Sequence, residues 1–239
     1  MSMEKSKTAA IVLAAGSGKR MGSGIKKQYM PLLGKPVVYY SLKAFQESFV
    51  DEIILVVSAG DADHCKKEIV ERYGFYKVSS VVEGGKERYH SVAAGLKEVK
   101  DCDFVFIHDG ARPVLAQDML ERLWQCVKTQ GACVAGMPAK DTIKIADQGD
   151  YIEATPDRRF VWAVQTPQVF EYQLIKDAYE ELLNKEQDFL KKGIAITDDA
   201  MVVESFTGHK VKLVKGAYEN IKITTPEDIL VAETFIKAL

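Results

Sequence analysis

Long apolar runs are missing from this chain: no stretch approaches the roughly 18 residues that a membrane-spanning helix needs, and residues 1–7 are polar and charged rather than leader-like. Cysteine is scarce as well. The four, at 65, 102, 126 and 133, form no CxxC pair and no zinc spacing, and 239 residues at 47% hydrophobic content can bury a core without disulfide staples. Reduced thiols in a soluble, cytoplasmic protein are therefore expected. Nor does charge of one sign accumulate. The 32 basic and 34 acidic residues are interspersed and leave a net charge of -2, which offers no stripe to nucleic acid or to a membrane surface. An anionic ligand would have to meet local cations.

What is present is a rhythm. Strand-like runs at 9–14, 52–58, 78–82 and 104–108 alternate with helical patterns at 37–46, 62–73, 87–99 and 119–127, as parallel strands joined by crossover helices do. The FVFIH run at 104–108 is apolar on both faces, the mark of a central covered strand. After 132–138 the rhythm breaks into TIKIA, YIEA and FVWAV around Asp147-Gln148-Gly149-Asp150, a hairpin-turn composition. A helix at 172–190, another at 198–206, strand-like runs at 211–214 and 220–223, and a helix opened by Thr225-Pro226-Glu227-Asp228 complete the chain. The expected fold is α/β: a doubly wound, mostly parallel, Rossmann-like sheet in one domain over 1–239, with a β-hairpin arm inserted at about 139–164. So small a hairpin has too little apolar surface to stand alone and must pack on the body or on another subunit; a homodimer through the arm is the favoured expectation.

The loop from Leu13 to Gln28 follows the first strand and contains Gly16, Gly18, Gly22 and Gly24. Small residues there let backbone N–H groups approach phosphates. A dinucleotide fingerprint would want glycine where Met21 stands and an acid where Ser58 stands, and no Gly-Lys-Ser/Thr closes a P-loop. A glycine loop carrying Arg20 and Lys27 suits a triphosphate, although a turn with solvated charges has the same composition. Asp109 ends the fourth strand within His-Asp-Gly-Ala-Arg-Pro, at the carboxyl edge of the sheet where α/β proteins bind ligands. One carboxylate there suffices for magnesium or another hard divalent cation, which fills its shell with water and substrate phosphates. A helix-capping Asp is the alternative. Gly84-Gly85-Lys86-Glu87-Arg88-Tyr89-His90-Ser91 opens a helix, with N–H groups and a hydroxyl near the site. His108 could equally be a packed residue and receives no chemical role.

Taken together, LAAGSGKRM with KQY, then HDGARP, TPQ, ITDDA and NIKIT, resemble the 2-C-methyl-D-erythritol 4-phosphate cytidylyltransferases of isoprenoid synthesis over nearly the whole chain. The family usually has proline where Lys26 stands, which leaves Lys26 and Lys27 both open as the phosphate ligand. The resemblance implies transfer of CMP from CTP to methylerythritol phosphate. It implies nucleotide contacts from Ala14, Ala15, Gly16, Gly18, Gly85, Lys86, Ser91 and Gly110, and catalytic cations at Arg20, Lys27, Arg158 and Lys222. Arg112, Thr142, Thr166 and Thr197 would face the acceptor, with Arg159 beside Arg158 as an alternative and magnesium on Asp109. Thr197 is also positioned as a helix N-cap. An acceptor phosphate is already anionic near neutral pH, so no general base is required. Ribitol 5-phosphate cytidylyltransferase is the nearest alternative. A nicotinamide oxidoreductase and a CTP-binding regulator without turnover stand further off.

Overall fold

The computed structural model describes residues 6–16 and 26–238. Strand β1 (Thr8–Ala14) leads through a 3-10 turn at Lys27–Tyr29 and a two-stranded ribbon, β2 (Pro31–Leu32) and β3 (Lys35–Pro36), into helix α1 (Val37–Gln46). Then follow β4 (Glu52–Val57), α2 (Ala62–Cys65) continued by a wider π-helical stretch to Glu71, β5 (Val78–Glu83), α3 (Arg88–Glu98), β6 (Phe104–Asp109), α4 (Gln117–Gln130) and β7 (Ala132–Pro138). The arm contributes β8 (Ile145–Ala146) and β9 (Ile152–Ala154). The chain returns through β10 (Trp162–Glu171) to α5 (Tyr172–Asn184), α6 (Glu186–Lys191), α7 (Asp199–Thr207), β11 (Lys212–Lys215) and α8 (Glu227–Lys237).

The main sheet has the order β11-β7-β10-β6-β1-β4-β5, with every pairing parallel except those of β10. Its central strands, β1, β4 and β6, are apolar on both faces because helices cover both. Ala10 and Val12 of β1 pack with Val38, Leu42 and Phe45 of α1 and Leu120 of α4. Ala9 and Ile11 pack on the other side with Val92 and Leu96 of α3 and Ile175 of α5. Burying whole Leu, Ile and Phe side chains on two faces contributes roughly 1.5–3 kcal/mol each. The chain runs outward from β1 to β4 and β5, then jumps back to β6 on β1's other side. A crevice therefore opens at the carboxyl ends of β1 and β6, where the winding reverses.

Four local expectations change. The 172–190 helix is interrupted at Lys185 (φ -105°, ψ 9°). The 220–223 run is no strand, because its backbone bonds go elsewhere: Ile223 N–H donates to Ala111 O and Asn220 O accepts from Arg112. Of FVWAV, Phe160 closes a 3-10 turn and only Trp162 to Val164 are strand, the start of the ten-residue β10 that enters the main sheet antiparallel between β6 and β7. The last helix has no side-chain cap, its N-cap residue being Pro226; instead of a Thr225 hydroxyl capping the helix, Asp228 Oδ2 reaches back to accept the N–H groups of Thr224 and Thr225 at 2.7 and 2.9 Å. The Asp147 turn does close the expected hairpin, with its side chain accepting from Gly149 and Tyr151 N–H. Among the described residues no helix is long and apolar enough to cross a membrane.

Candidate active site

At the crevice lies a cavity of about 310 Å3, walled by the end of β1, the Lys27 turn, the loop from β5 into α3, the end of β6 and Lys222. It gathers Ala14, Ala15, Gly16, Lys27, Gly85, Lys86, Ser91, Asp109 and Lys222 of the residues expected from sequence. The β1 end is tied down from two sides: Ala14 O accepts from Gln28 Nε2 at 2.6 Å and Ala15 O from Ser58 Oγ at 3.3 Å. Lys26 is bound to Asp61 at 2.6 Å, while Lys27 lines the cavity with its Cε 3.8 Å from where a Cβ on Gly16 would stand. The two lysines thus separate by a turn of backbone.

The loop before α3 is closely folded on itself. Gly85 N–H donates to Ser91 Oγ at 3.2 Å, and Glu87 and His90 form a reciprocal capping box. Several N–H groups expected to be free at this helix start are therefore already satisfied. A Cβ on Gly85 would lie 2.3 Å from that of His90, so only glycine fits.

Asp109 is the electrostatic centre. Its Oδ2 accepts from Lys222 Nζ at 2.7 Å and its Oδ1 from Arg88 Nε at 3.3 Å. Burial pushes its pKa up, but Arg88 and Lys222 outweigh burial and hold the carboxyl well below the usual carboxylate range. Arg88 is forked onto Asp199 at 2.7 and 2.8 Å; burial opposes its charge, and the carboxylates of Asp199 and Asp109 raise its pKa well above the ordinary value. Beneath them runs a chain of hydrogen bonds. Asp109 N–H donates to Thr166 Oγ1 at 3.0 Å, Thr166 Oγ1 and His108 Nδ1 are 3.2 Å apart, and His108 Nε2 lies 3.2 Å from Arg112 O. Because the last partner is a carbonyl, Nε2 carries the proton and Nδ1 accepts from the threonine. Burial lowers the His108 pKa to about 4, so the ring is neutral near pH 7 and packed away from the cavity.

The remaining expected residues lie elsewhere. Thr166 is buried with its hydroxyl engaged as above, and Gly110 is buried behind the wall with its N–H on Leu13 O. Arg112 turns away to donate to Asn220 O at 2.7 Å, which fixes the segment bearing Lys222. Thr142 and Arg158 are exposed on the arm; Arg158 donates to Lys140 O and Arg159 is paired with Asp157. Thr197 is exposed, and the N-cap of α7 is Asp198, whose Oδ1 accepts Met201 N–H at 3.0 Å. The cap falls one residue later than expected because Asp198 is the last extended residue before the helix. Arg20 and Gly18 lie outside the described residues.

Sequence reasoning missed Gln28, Arg88 and Asp199. For Arg88 a signal existed: it is the first residue of α3, where a cation opposes the helix dipole and implies a carboxylate partner. No comparable signal singled out Asp199, since an acid at a helix start is ordinary.

The donor set accommodates a divalent cation in one way. Among the described residues no three His, Cys, Asp or Glu side chains cluster as a metal cage. The ionised carboxylate of Asp109 on the cavity wall fits an ion whose other ligands are water and phosphate oxygens.

A doubly wound sheet whose switch point brings Gly16, Lys27 and the ionised Asp109 to one cavity has the architecture of a nucleotide-binding α/β enzyme, and the comparisons make it a nucleotidyltransferase. Comparison with known proteins names the family. The model for 2-C-methyl-D-erythritol 4-phosphate cytidylyltransferase matches residues 8–238. The protein of that name from Lachnospira eligens is 52% identical, with 95% of this chain and 98% of that protein covered. The one from Lachnoclostridium phytofermentans is 49% identical, covering 97% of each. The crystal structure of 4-diphosphocytidyl-2C-methyl-D-erythritol synthase from Anaerococcus prevotii superposes with a TM-score of 0.83 at 34% identity, covering 97% of this chain and 96% of that one. The chain belongs to the 2-C-methyl-D-erythritol 4-phosphate cytidylyltransferase family.

Proposed function

We infer that the chain carries its family's activity, transferring CMP from CTP to 2-C-methyl-D-erythritol 4-phosphate to give 4-diphosphocytidyl-2-C-methyl-D-erythritol and pyrophosphate. The observation that carries the reading is Asp109 ionised between Arg88 and Lys222 in a cavity that also holds Lys27 and the Ala14-Ala15-Gly16 end of β1. An acceptor phosphate oxygen forms a bond to the α-phosphorus as the bond to the β-phosphate oxygen breaks. The nucleophile is already an anion, and His108, packed beneath Asp109, is neutral and buried, so residues act by charge and position rather than by taking a proton. Lys27, with Arg20 from the same loop, neutralises the departing pyrophosphate. Ala14, Ala15, Gly16, Gly85, Lys86 and Ser91 hold cytosine and ribose. Lys222, half-exposed at the mouth, reaches the acceptor phosphate. Magnesium held by Asp109 would supply charge neutralisation across the phosphates.

The arm completes the site from a second copy. Ile145, Tyr151, Ile152 and Phe160 are exposed on a hairpin with no core of its own, which supports its packing on a partner subunit and delivery of Thr142 and Arg158 to the partner's acceptor side. Free thiols and the absence of a membrane helix among the described residues support a place in the cytoplasm.

The test is magnesium-dependent pyrophosphate release with CTP, ATP, GTP or UTP, and with methylerythritol 4-phosphate or ribitol 5-phosphate. Release confined to CTP with the methylerythritol acceptor is expected. Release with ribitol phosphate alone would transfer the chain to the alternative activity.

A further inference from the structure

Arg88 spends its guanidinium almost entirely on one partner. Nη1 and Nη2 donate to the two oxygens of Asp199, and only Nε is left for Asp109, at 3.3 Å. Asp199 is wholly buried, accepts the Tyr179 hydroxyl at 2.6 Å, and is seated by its N–H on Gln168 Oε1 at 3.0 Å. Gln168 also accepts from Ala200 N–H and donates to Asp198, so β10 locks the start of α7 in place. The restraint on Arg88 therefore comes from a rigid part of the core. A guanidinium fork released from such an anchor closes on the nearest carboxylate with two parallel bonds. Asp109 is the other carboxylate it touches.

We propose that Asp199 is a positioning residue that holds the Arg88 fork off Asp109 and so keeps the Asp109 carboxylate open to the divalent cation that accompanies CTP. This rests on reading Asp109 as the metal carboxylate. In the arrangement seen, Asp109 carries a single long bond from Arg88 and a shorter one from Lys222, whose flexible, half-exposed chain can swing away. Without Asp199's charge the rigid fork would cover Oδ1 and Oδ2 together, and a hard cation would have to displace it.

Calorimetric binding of CTP without acceptor, once with EDTA and once with manganese, reads this directly, because the ratio of the two affinities is the coupling between metal and nucleotide. Asp199→Asn, an isostere that still accepts the Tyr179 hydroxyl, is expected to lower the ratio about tenfold while the EDTA affinity stays within about threefold. Adding Arg88→Gln is expected to restore the ratio while weakening both affinities, since the cavity loses a cation. Merely structural damage would not recover with a second substitution. A native ratio in Asp199→Asn, or a ratio still low in the double variant, overturns the proposal. Should Asp199→Asn fail to fold, the double variant, whose two amides pair without charge, decides alone: a native ratio is expected, and one as low as that of Asp109→Asn overturns the proposal. Asp109→Asn separates the two levels. A ratio indifferent to Asp109→Asn removes the metal reading and this proposal with it, whereas one that responds to Asp109→Asn but not to Asp199→Asn removes this proposal alone.

Discussion

Lys26 and Lys27 are neighbours of one charge placed in different surroundings. The first is held by Asp61 outside the cavity and the second lines it, so Lys27→Ala should lower kcat on the order of 10² to 10³, the cost of removing one transition-state donor. Lys26→Ala should cost stability of under about 1 kcal/mol and little rate. Steady-state kinetics beside a melting curve separate them, and equal rate losses would contradict the assignment. His108 makes a prediction of the opposite kind. Burial lowers its pKa from 6.5 to about 4, so between those values the unfolded chain binds the proton and the fold does not. Stability is full above pH 6.5 and falls as pH drops towards 4, by on the order of 3 kcal/mol. His108→Gln should flatten denaturant-derived stability across that window relative to the native protein, while an unchanged slope would show that the ring does not titrate there.

Helix α3 shows how an element brings its residues to the cavity. Gly95 faces the sheet, and a Cβ there would stand 2.6 Å from Ile11 Cγ2 and 3.1 Å from Val56 Cγ2. Alanine gains about 1 kcal/mol in helix propensity, but overpacking a closed core costs roughly 1–3 kcal/mol. Gly95→Ala should therefore lower the melting temperature and, by pushing α3 outward, raise KM for CTP; an increased melting temperature would contradict this packing. The strand–helix alternation of the first 130 residues was legible because apolar strands and amphipathic helices write different periods into sequence. The course of β10 was not. Trp162 to Glu171 begins in an exposed arm and ends in the buried sheet, so its burial changes along one strand and no single period describes it. The 220–223 run alternates like a strand, but its backbone is held off the sheet by the bonds of Ile223 N–H to Ala111 O and of Arg112 to Asn220 O. Nor could local pattern reveal the contact of Arg88 with Asp199, which lie 111 positions apart.

At the scale of the whole molecule, the exposed apolar side chains of the arm and the distance of Thr142 and Arg158 from the cavity belong together. Both follow if the working unit is a dimer. Arg158→Ala and Lys27→Ala, each inactive alone, should regain activity when mixed and reassembled, because one composite site then carries neither substitution. Failure of mixed subunits to recover, with exchange verified by mass, would place Arg158 in its own subunit's chemistry or outside it. The central claim is that the acceptor's own phosphate oxygen displaces pyrophosphate from CTP. The most direct test is phosphorus NMR of the reaction with methylerythritol 4-phosphate labelled with 18O in its phosphate. A labelled bridging oxygen in the new diphosphate, with unlabelled pyrophosphate released, is the result this account predicts. Free CMP with no new diphosphate, or label appearing in pyrophosphate, would contradict it.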